Sequence, residues 1–326
     1  MYAAQITDYG PASDLKVVEV ETPSINDDQI LVKVGAAGVN PVDTYIRSGT
    51  NNYKANFPHT PGLDGAGTVV QVGTNVTEFK QGDRVYFNRN LTGSAAEFAV
   101  CAPANTFPLA PTLSFEEGAC LGVPYTTAYR ALFDRAQAKA GQKVLVHGGT
   151  GAVGLAVVQL ALAAGLEVVA STSTDAGEAL LKAQGVKQVL RHNEADHLAP
   201  FQPTDTPVSA SGFDIIIEML ANHNLAEDLK ALAHGGCVAV IGNRGTVEIN
   251  PRDLMARDAS VVGVALANVK PEELKRIAKA LYPLLQGKLL KPVVRKTFAL
   301  SELSQAHEEV LLTGALGNLV VDTTQN

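Results

Sequence analysis

The chain has 326 residues, more than one hydrophobic core usually supports, so two domains are expected. Apolar residues make up 46% and charged residues 18%, as in a soluble globular protein, and a formal net charge of −7 without blocks of like charge argues against a dedicated nucleic-acid binder. The start, MYAAQITDYG, has no secretory-signal pattern, and the most apolar stretch, Leu155 to Leu166, is too short to cross a bilayer, so a cytoplasmic location is expected.

The first third reads as β-rich. Leu15–Glu21 and Gln29–Ala36 alternate apolar and polar residues, and Gly67–Val72 and Arg84–Phe87 follow as short runs, the last opened by the Gly82-Asp83 turn. After about Leu121 strand-like and helix-like runs alternate. Lys143–His147 precedes a helix at Gly154–Ala164, and Glu167–Ser171 precedes one at Ala176–Gln184. The pattern continues with Gln188–Arg191, Phe213–Glu218, Leu225–Ala233, Cys237–Ile241 and Ser260–Val264. Such βαβ alternation predicts a parallel sheet covered by helices. The segment from Asp196 to Gly212 carries three prolines and little periodicity, which predicts a surface loop. A helix at Glu272–Leu285, a basic strand at Pro292–Phe298, a helix at Ser301–Leu312 and a strand at Gly317–Asp322 complete the chain. The three cysteines, Cys101, Cys120 and Cys237, form no CxxC pair and read as reduced, mostly buried thiols.

The strongest local motif is VLVHGGTGAVG, with Gly149-x-Gly151-x-x-Gly154 directly after an apolar strand. Gly149 is expected to allow the tight turn, Gly151 to let a pyrophosphate approach, and Gly154 to let helix and strand pack closely. The following helix aims its free N–H groups at the phosphates. About 20 residues on, an NAD site usually places a carboxylate that binds the ribose 2′-hydroxyl. Ser171-Thr172-Ser173-Thr174 stand there instead, followed by Asp175. Hydroxyls suit a 2′-phosphate, which a carboxylate would repel; the alternative is a polar turn with no cofactor preference.

Several stretches match one family. They include GVNPVDTYIRSGT (38–50), TPGLDGAGTVVQVG (60–73), GVPYTTAYRAL (122–132), DIIIEMLANHNL (214–225) and HGGCVAVIGNRGTVEINPRDLMA (234–256). Over essentially its whole length the chain resembles the zeta-crystallin-like NADPH:quinone oxidoreductases, a zinc-free branch of the medium-chain dehydrogenase/reductase superfamily. The resemblance implies an α/β protein. A GroES-like β-rich domain, residues 1–123 completed by 267–326, would accompany a Rossmann domain with a doubly wound parallel sheet at 124–266.

Further implications are the cofactor, NADPH, lying in the cleft, and the residues that hold it. Tyr45 would flank the nicotinamide, and Thr150, Gly151, Ala152 and Val153 would wrap the pyrophosphate. Ser173 and His192 would lie near the adenosine phosphate end, although His192 by itself reads as a surface histidine. Asn224, then Ile241, Gly242, Asn243 and Arg244, then Val264, Ala265 and Leu266, would line the rest of the groove. Two departures stand out: Asn51 replaces a tyrosine that relatives often carry after RSG, and Gly317-Asn318 replaces Gly-Lys.

Zinc relatives need thiolate and imidazole ligands to polarise an alcohol. Asn40 stands at their first catalytic cysteine and Leu63 at the histidine of their PGHE motif, while the third ligand position is apolar and the four-cysteine lobe is missing. No metal is therefore expected. An electron-poor quinone is already electrophilic and needs mainly positioning. Asn40 and Tyr45, in what reads as a loop, are the candidate catalytic residues: an amide donor to a carbonyl oxygen and a ring to pack on the nicotinamide or quinone. Asn40 supporting a turn before Pro41, and Tyr45 merely packed, are the alternatives.

The leading reading is reduction of quinones by NADPH. Reduction of enones or alkenals is a second enzymatic reading, and a lens-protein role or binding of AU-rich RNA, seen among relatives, is a third. The acidic balance and missing basic aromatic patch disfavour RNA as the main partner. The apolar SVVGVAL segment at 260–266 would make a poor exposed sheet edge, which predicts a homodimer or homotetramer.

Overall fold

The computed structural model describes residues 1–202 and 211–325. In chain order its strands are β1 (Tyr2–Gln5), β2 (Lys16–Glu19), β3 (Ile30–Val39), β4 (Asp64–Val72), β5 (Arg84–Asn88), β6 (Phe98–Cys101), β7 (Thr106–Pro108) and β8 (Lys143–Val146). They continue with β9 (Glu167–Thr172), β10 (Gln188–Arg191), β11 (Phe213–Glu218), β12 (Leu232–Val240), β13 (Ser260–Gly263), β14 (Val294–Ala299) and β15 (Asn318–Asp322). The helices are α1 (Pro41–Ser48), α2 (Phe115–Ala119), α3 (Gly122–Tyr129), α4 (Ala152–Ala163), α5 (Asp175–Ala183), α6 (Ala221–Ala231), α7 (Pro251–Met255), α8 (Pro271–Gln286) and α9 (Leu303–Glu309). Two compact units result, Met1–Pro124 with Val269–Asn326 and Tyr125–Asn268.

In the first unit β3 organises the sheet, whose order is β14-β15-β3-β4-β5-β7. Almost all of its ten residues, ILVKVGAAGV, are buried, and the register slips at Leu31/Val32 and Val34/Ala36. Bulges of this kind bend a strand, and here Ile30–Lys33 pairs with β6 while Ala36–Val39 pairs with β15. Beyond the bend, Gly38 lets α2 approach, because a Cβ there would lie 2.3 Å from the Ala119 carbonyl oxygen. Ile30, Val32, Val34, Val69, Val85 and Phe87 form one buried cluster. Helix α8 lays Leu274, Ile277, Leu281 and Leu285 along one buried face, a 3.6-residue pattern that tolerates Pro283 in its last turn.

The second unit is a six-stranded parallel sheet, order β10-β9-β8-β11-β12-β13, with α4, α5, α6 and α7 following β8, β9, β11 and β12. Its central strands KVLV and FDIIIE are buried on both faces, as parallel strands between helix layers must be. Leu155 and Leu160 of α4 are each 2% exposed, burial that contributes about 1.5–3 kcal/mol apiece. The order reverses direction between β8 and β11, the switch point at which open α/β sheets bind ligands beyond their carboxyl ends.

The α/β class with a GroES-like β-rich part and a Rossmann sheet is as expected. Several local expectations need correction. The GVNPVDTYIRSG segment is helix α1 rather than a loop: Pro41 opens it, and the Asp43 carboxylate accepts the Asn40 backbone N–H at 2.8 Å. Strand β12 begins at Leu232, five residues before the expected Cys237, because Leu232 pairs with Phe213 across an irregular register. The expected helix Ser301–Leu312 is confined to Leu303–Glu309, behind a 3-10 turn at Leu300–Glu302. Of the expected loop at 196–212, Ala199–Phe201 forms a 3-10 turn that buries Phe201, and residues 203–210 lie outside the described residues.

Candidate functional site

The glycine-rich turn follows β8 through His147. Its left-handed residue is Gly148, at φ +55°, and not Gly149 as the motif suggested. Gly149 serves instead as a close contact, since a Cβ there would come 2.9 Å from the Cβ of Ala170 on β9. Gly154 has the role expected of it, because a Cβ would meet the Gly148 carbonyl oxygen at 2.2 Å. Gly151 caps α4, and its missing Cβ would have nothing nearer than that same oxygen at 3.5 Å. Thr150 is buried beside it, and Ala152 and Val153 open the helix, where N–H groups have no intrahelical acceptor.

Next to this turn, the four hydroxyls at the end of β9 and just beyond it divide their work. Ser171 Oγ accepts the Gly148 N–H at 3.2 Å and shares a second hydrogen bond of 3.2 Å with His192 Nδ1. Thr174 Oγ1 accepts the Gly177 N–H and so caps α5. Thr172 is buried, and Ser173 is half-buried. His192 is thus tied to the turn rather than loose at the surface, and burial holds its pKa below the ordinary histidine value. Arg191 ends β10 opposite Thr172, its guanidinium paired with Asp175 and, at 3.0 Å, with Glu178.

The remaining unit-two residues also follow strand ends. After β11, Asn224 Nδ2 donates to Glu218 Oε1 at 3.2 Å. After β12, the N–H groups of Ile241 and Gly242 donate to the Glu218 carbonyl at 2.8 and 3.3 Å. The Arg244 N–H donates to Asn222 Oδ1, and Asn243 bonds the Gly245 carbonyl. After β13, the Val264 N–H donates to the Val240 carbonyl at 2.8 Å, followed by Ala265 and the 3-10 turn that starts at Leu266. From Thr150 to Leu266, every residue proposed for this half stands beyond the carboxyl end of one sheet.

In the first unit Asn40 is 4% exposed, and its Nδ2 donates to Asp64 Oδ2 at 2.9 Å. The Val123 N–H donates to the same oxygen at 2.7 Å. Asp43 Oδ1 accepts the Leu63 N–H, and burial pushes this carboxyl up to about 7 despite its backbone donors. Asp64 is raised well above the ordinary range, by burial first and by the charge of Asp43 next. Tyr45 projects from α1, with its ring centroid 6.3 Å from that of Tyr53. Asn318 is buried in β15, its amide donating to the Val293 carbonyl at 3.1 Å.

Two family descriptions match the chain, an alcohol dehydrogenase GroES-like domain over 26–112 and a zinc-binding dehydrogenase over 152–282. A human quinone oxidoreductase is 43% identical over 323 residues, covering 98% of this chain and 97% of that one. The rat quinone oxidoreductase is 44% identical with the same coverage. The chain belongs to the quinone oxidoreductase family of the medium-chain dehydrogenase/reductase superfamily. A mycobacterial protein solved in complex with NADPH is 27% identical and superposes with a TM-score of 0.87, over 98% of this chain and 99% of that one.

Members of this family are oxidoreductases that use a nicotinamide dinucleotide, and the second unit fits such a group on two observations. A Cβ at Gly151 would touch only the Gly148 carbonyl oxygen, at 3.5 Å, and the first turn of α4 offers N–H groups to a phosphate. Three residues of the same neighbourhood escaped the sequence reading. Arg191 stands some 20 positions from Ser171 in the chain and becomes its neighbour only through the β9–β10 pairing; an expected strand end beside another was the available signal. Glu218 lies in the DIIIEMLAN stretch, where its place at the end of an apolar run marks it only as a strand residue. Asp228, on α6, had no local signal.

Proposed function

We propose that the chain reduces quinones with NADPH and without a metal ion. The observation that carries the choice of cofactor is the end of β9. There Ser171 to Thr174 stand where a ribose-binding carboxylate is usual, and Arg191, opposite Thr172 on β10, pairs with Glu178 and with the fully exposed Asp175. A 2′-phosphate would exchange that surface ion pair for a charge-assisted contact with Arg191. When bound, the cofactor supplies a hydride. Thr150 to Val153 hold its pyrophosphate, while His192, Asn224, Ile241 to Arg244 and Val264 to Leu266 line its path. Asn40 and Tyr45 serve the acceptor end, the first as a donor amide held by Asp64 and the second as a packing ring.

The metal-free reading rests on Asn40 and Leu63. Asn40 uses its amide on Asp64, and Leu63 has no ligand atom. Titration of chelator-treated protein with NADPH and NADH, followed by turnover with a quinone, tests both parts. NADPH should bind at least tenfold more tightly, and Arg191→Gln should erase most of that preference. Equal affinities, or activity lost on chelation and restored by zinc, would sink the assignment.

We also propose that a second copy pairs at β13. This is the terminal strand of the sheet, and its Val261 is 38% exposed. A monomeric mass by light scattering at micromolar concentration would contradict it.

A further inference from the structure

Between the carboxyl ends of β8 and β11 the second unit buries a run of polar side chains. His147 Nε2 lies 2.7 Å from Asp228 Oδ1 and 3.5 Å from Glu218 Oε2, and all three side chains are at most 3% exposed. One oxygen of each carboxyl lies within 4.8 Å of the other and of the imidazole nitrogen. Oε2 of Glu218 and Oδ2 of Asp228 receive no N–H from any described residue. On its other oxygen, Oε1, Glu218 accepts the Leu220 backbone N–H and the Asn224 amide. Its backbone carbonyl takes the N–H groups of Ile241 and Gly242. One residue therefore ties together the first turn of α6, the segment after β12 and, through Asp228, the residue that leads into the glycine turn.

The three side chains also form the one His/Asp/Glu grouping among the described residues whose ligand-type atoms lie within 4.8 Å of one another. Ligands gathered at ~2.0–2.2 Å around a metal would not approach to hydrogen-bond distance and would leave the imidazole nitrogen free for the ion. Here that nitrogen is committed to Asp228. Two adjacent ionised carboxylates at this depth would repel each other, whereas one retained proton satisfies both. Burial first, and the charge of Asp228 after it, push Glu218 upward; burial likewise raises Asp228 and keeps His147 neutral. The other titratable groups facing the cluster are His192 and His197, next to His147, and Glu227, beyond Asp228.

We propose that Glu218 is a positioning residue for dinucleotide binding: as a neutral carboxyl anchored on Asp228 and His147, it orients the Asn224 amide and the first turn of α6. The inference rests on the reading of Asn224 as a cofactor contact. A neutral carboxyl and a carboxamide share one pattern, an accepting oxygen at one end and a donor at the other. Glutamine at 218 should therefore reproduce what alanine removes.

The test is fluorescence titration of the full chain with NADPH, with steady-state kinetics alongside, for Asn224→Ala, Glu218→Ala, Glu218→Gln and the double alanine variant. Each single alanine should raise the NADPH Kd by roughly tenfold, the cost of one hydrogen bond, and the loss should fall on KM for NADPH more than on kcat. The double variant should bind about as weakly as either single one, since both interrupt one route. Glu218→Gln should restore most of the lost affinity. Additive losses, a glutamine variant as weak as alanine, or wild-type affinity in Glu218→Ala would overturn the proposal. Wild-type affinity in Asn224→Ala would overturn it by a different path, by removing Asn224 from the cofactor site. If Glu218→Ala does not fold, the pH profile decides. Wild-type affinity should fall as pH passes about 8, where Glu218 ionises beside Asp228, and the glutamine variant should lack that step. A flat wild-type profile would refute the neutral carboxyl.

Discussion

In the second unit the buried acids Glu218 and Asp228 lean on each other and on a histidine, whereas in the first Asp43 and Asp64 are held mostly by backbone N–H groups and one asparagine amide. The consequences differ. Asp43 pins the start of α1 and the Leu63 turn, so it acts on the local chain path. Glu218 and Asp228 link side chains from a strand end, a helix and the entry to the glycine turn. The first unit also leaves polar capacity over: Asp64 Oδ1, both side-chain polar atoms of Asn88 and Ser94 Oγ are buried without a partner. In the second unit the atoms left over include one oxygen of each carboxyl, Glu218 Oε2 and Asp228 Oδ2, beside His197 Nε2; a proton shared by the two acids would account for the oxygens. A buried acid held by backbone shapes the fold, and one held by side chains transmits position.

The largest loss is expected at Asp228. Asp228→Ala takes the acceptor from His147 and the partner from Glu218 together, and should cost roughly 1.5–3 kcal/mol in urea unfolding. Asp64→Asn keeps an accepting oxygen for Asn40 and Val123 and should cost less, under ~1 kcal/mol. Equal losses would show that the two clusters are held alike.

A pH series separates the units next. Glu218 and Asp228 rise to about 8 and about 7 from ordinary values of 4.5 and 3.8, and Asp43 to about 7. The folded state therefore holds extra protons between about pH 4 and 8, so the stability these groups contribute is full at the acid end and lost as pH rises through that window. His307, buried and lowered to about 3, acts in the opposite sense, with its share present above pH 6.5 and lost as pH falls towards 3. With three groups falling against one rising, Tm should be highest near pH 4 and decline above it, and Glu218→Gln should flatten that decline only in part, because Asp43 remains. An unchanged alkaline slope would remove Glu218 from the account.

The smallest effects are expected at the acceptor end of the first unit. Tyr45→Ala should lower kcat/KM for a quinone by less than the ~10²–10³ that loss of a central oxyanion donor costs, and Tyr45→Phe should change it by less than about twofold. Asn40→Ala should reduce kcat/KM and also loosen Asp64. If Tyr45→Ala and Asn40→Ala both keep wild-type kinetics, the acceptor does not bind near α1.

Legibility in the sequence followed the range of the interactions. Gln188–Arg191 and Phe213–Glu218 were read with the bounds that the structure has, because each is a short apolar run between breakers. Helix α1 was hidden by Asn40-Pro41, which reads as a turn until the Asp43 carboxylate is seen reaching back to cap it. Gly148 is hidden because the motif counts from Gly149, although the left-handed residue stands one place earlier. The neighbours of the candidate cofactor site were harder still. Arg191 reaches Ser171 through strand order, and His147 reaches Asp228 across 81 residues, neither of which leaves a periodic trace.

All three cysteines are buried, and burial pushes the thiols of Cys101 and Cys120 above their ordinary value. Cys120 also donates its S–H to the Glu116 carbonyl at 3.1 Å. Quinones arylate proteins by conjugate addition, and the attacking species is an accessible thiolate. This chain offers such rings no ready sulfur nucleophile, so repeated encounters with an electrophile should leave its cysteines unmodified.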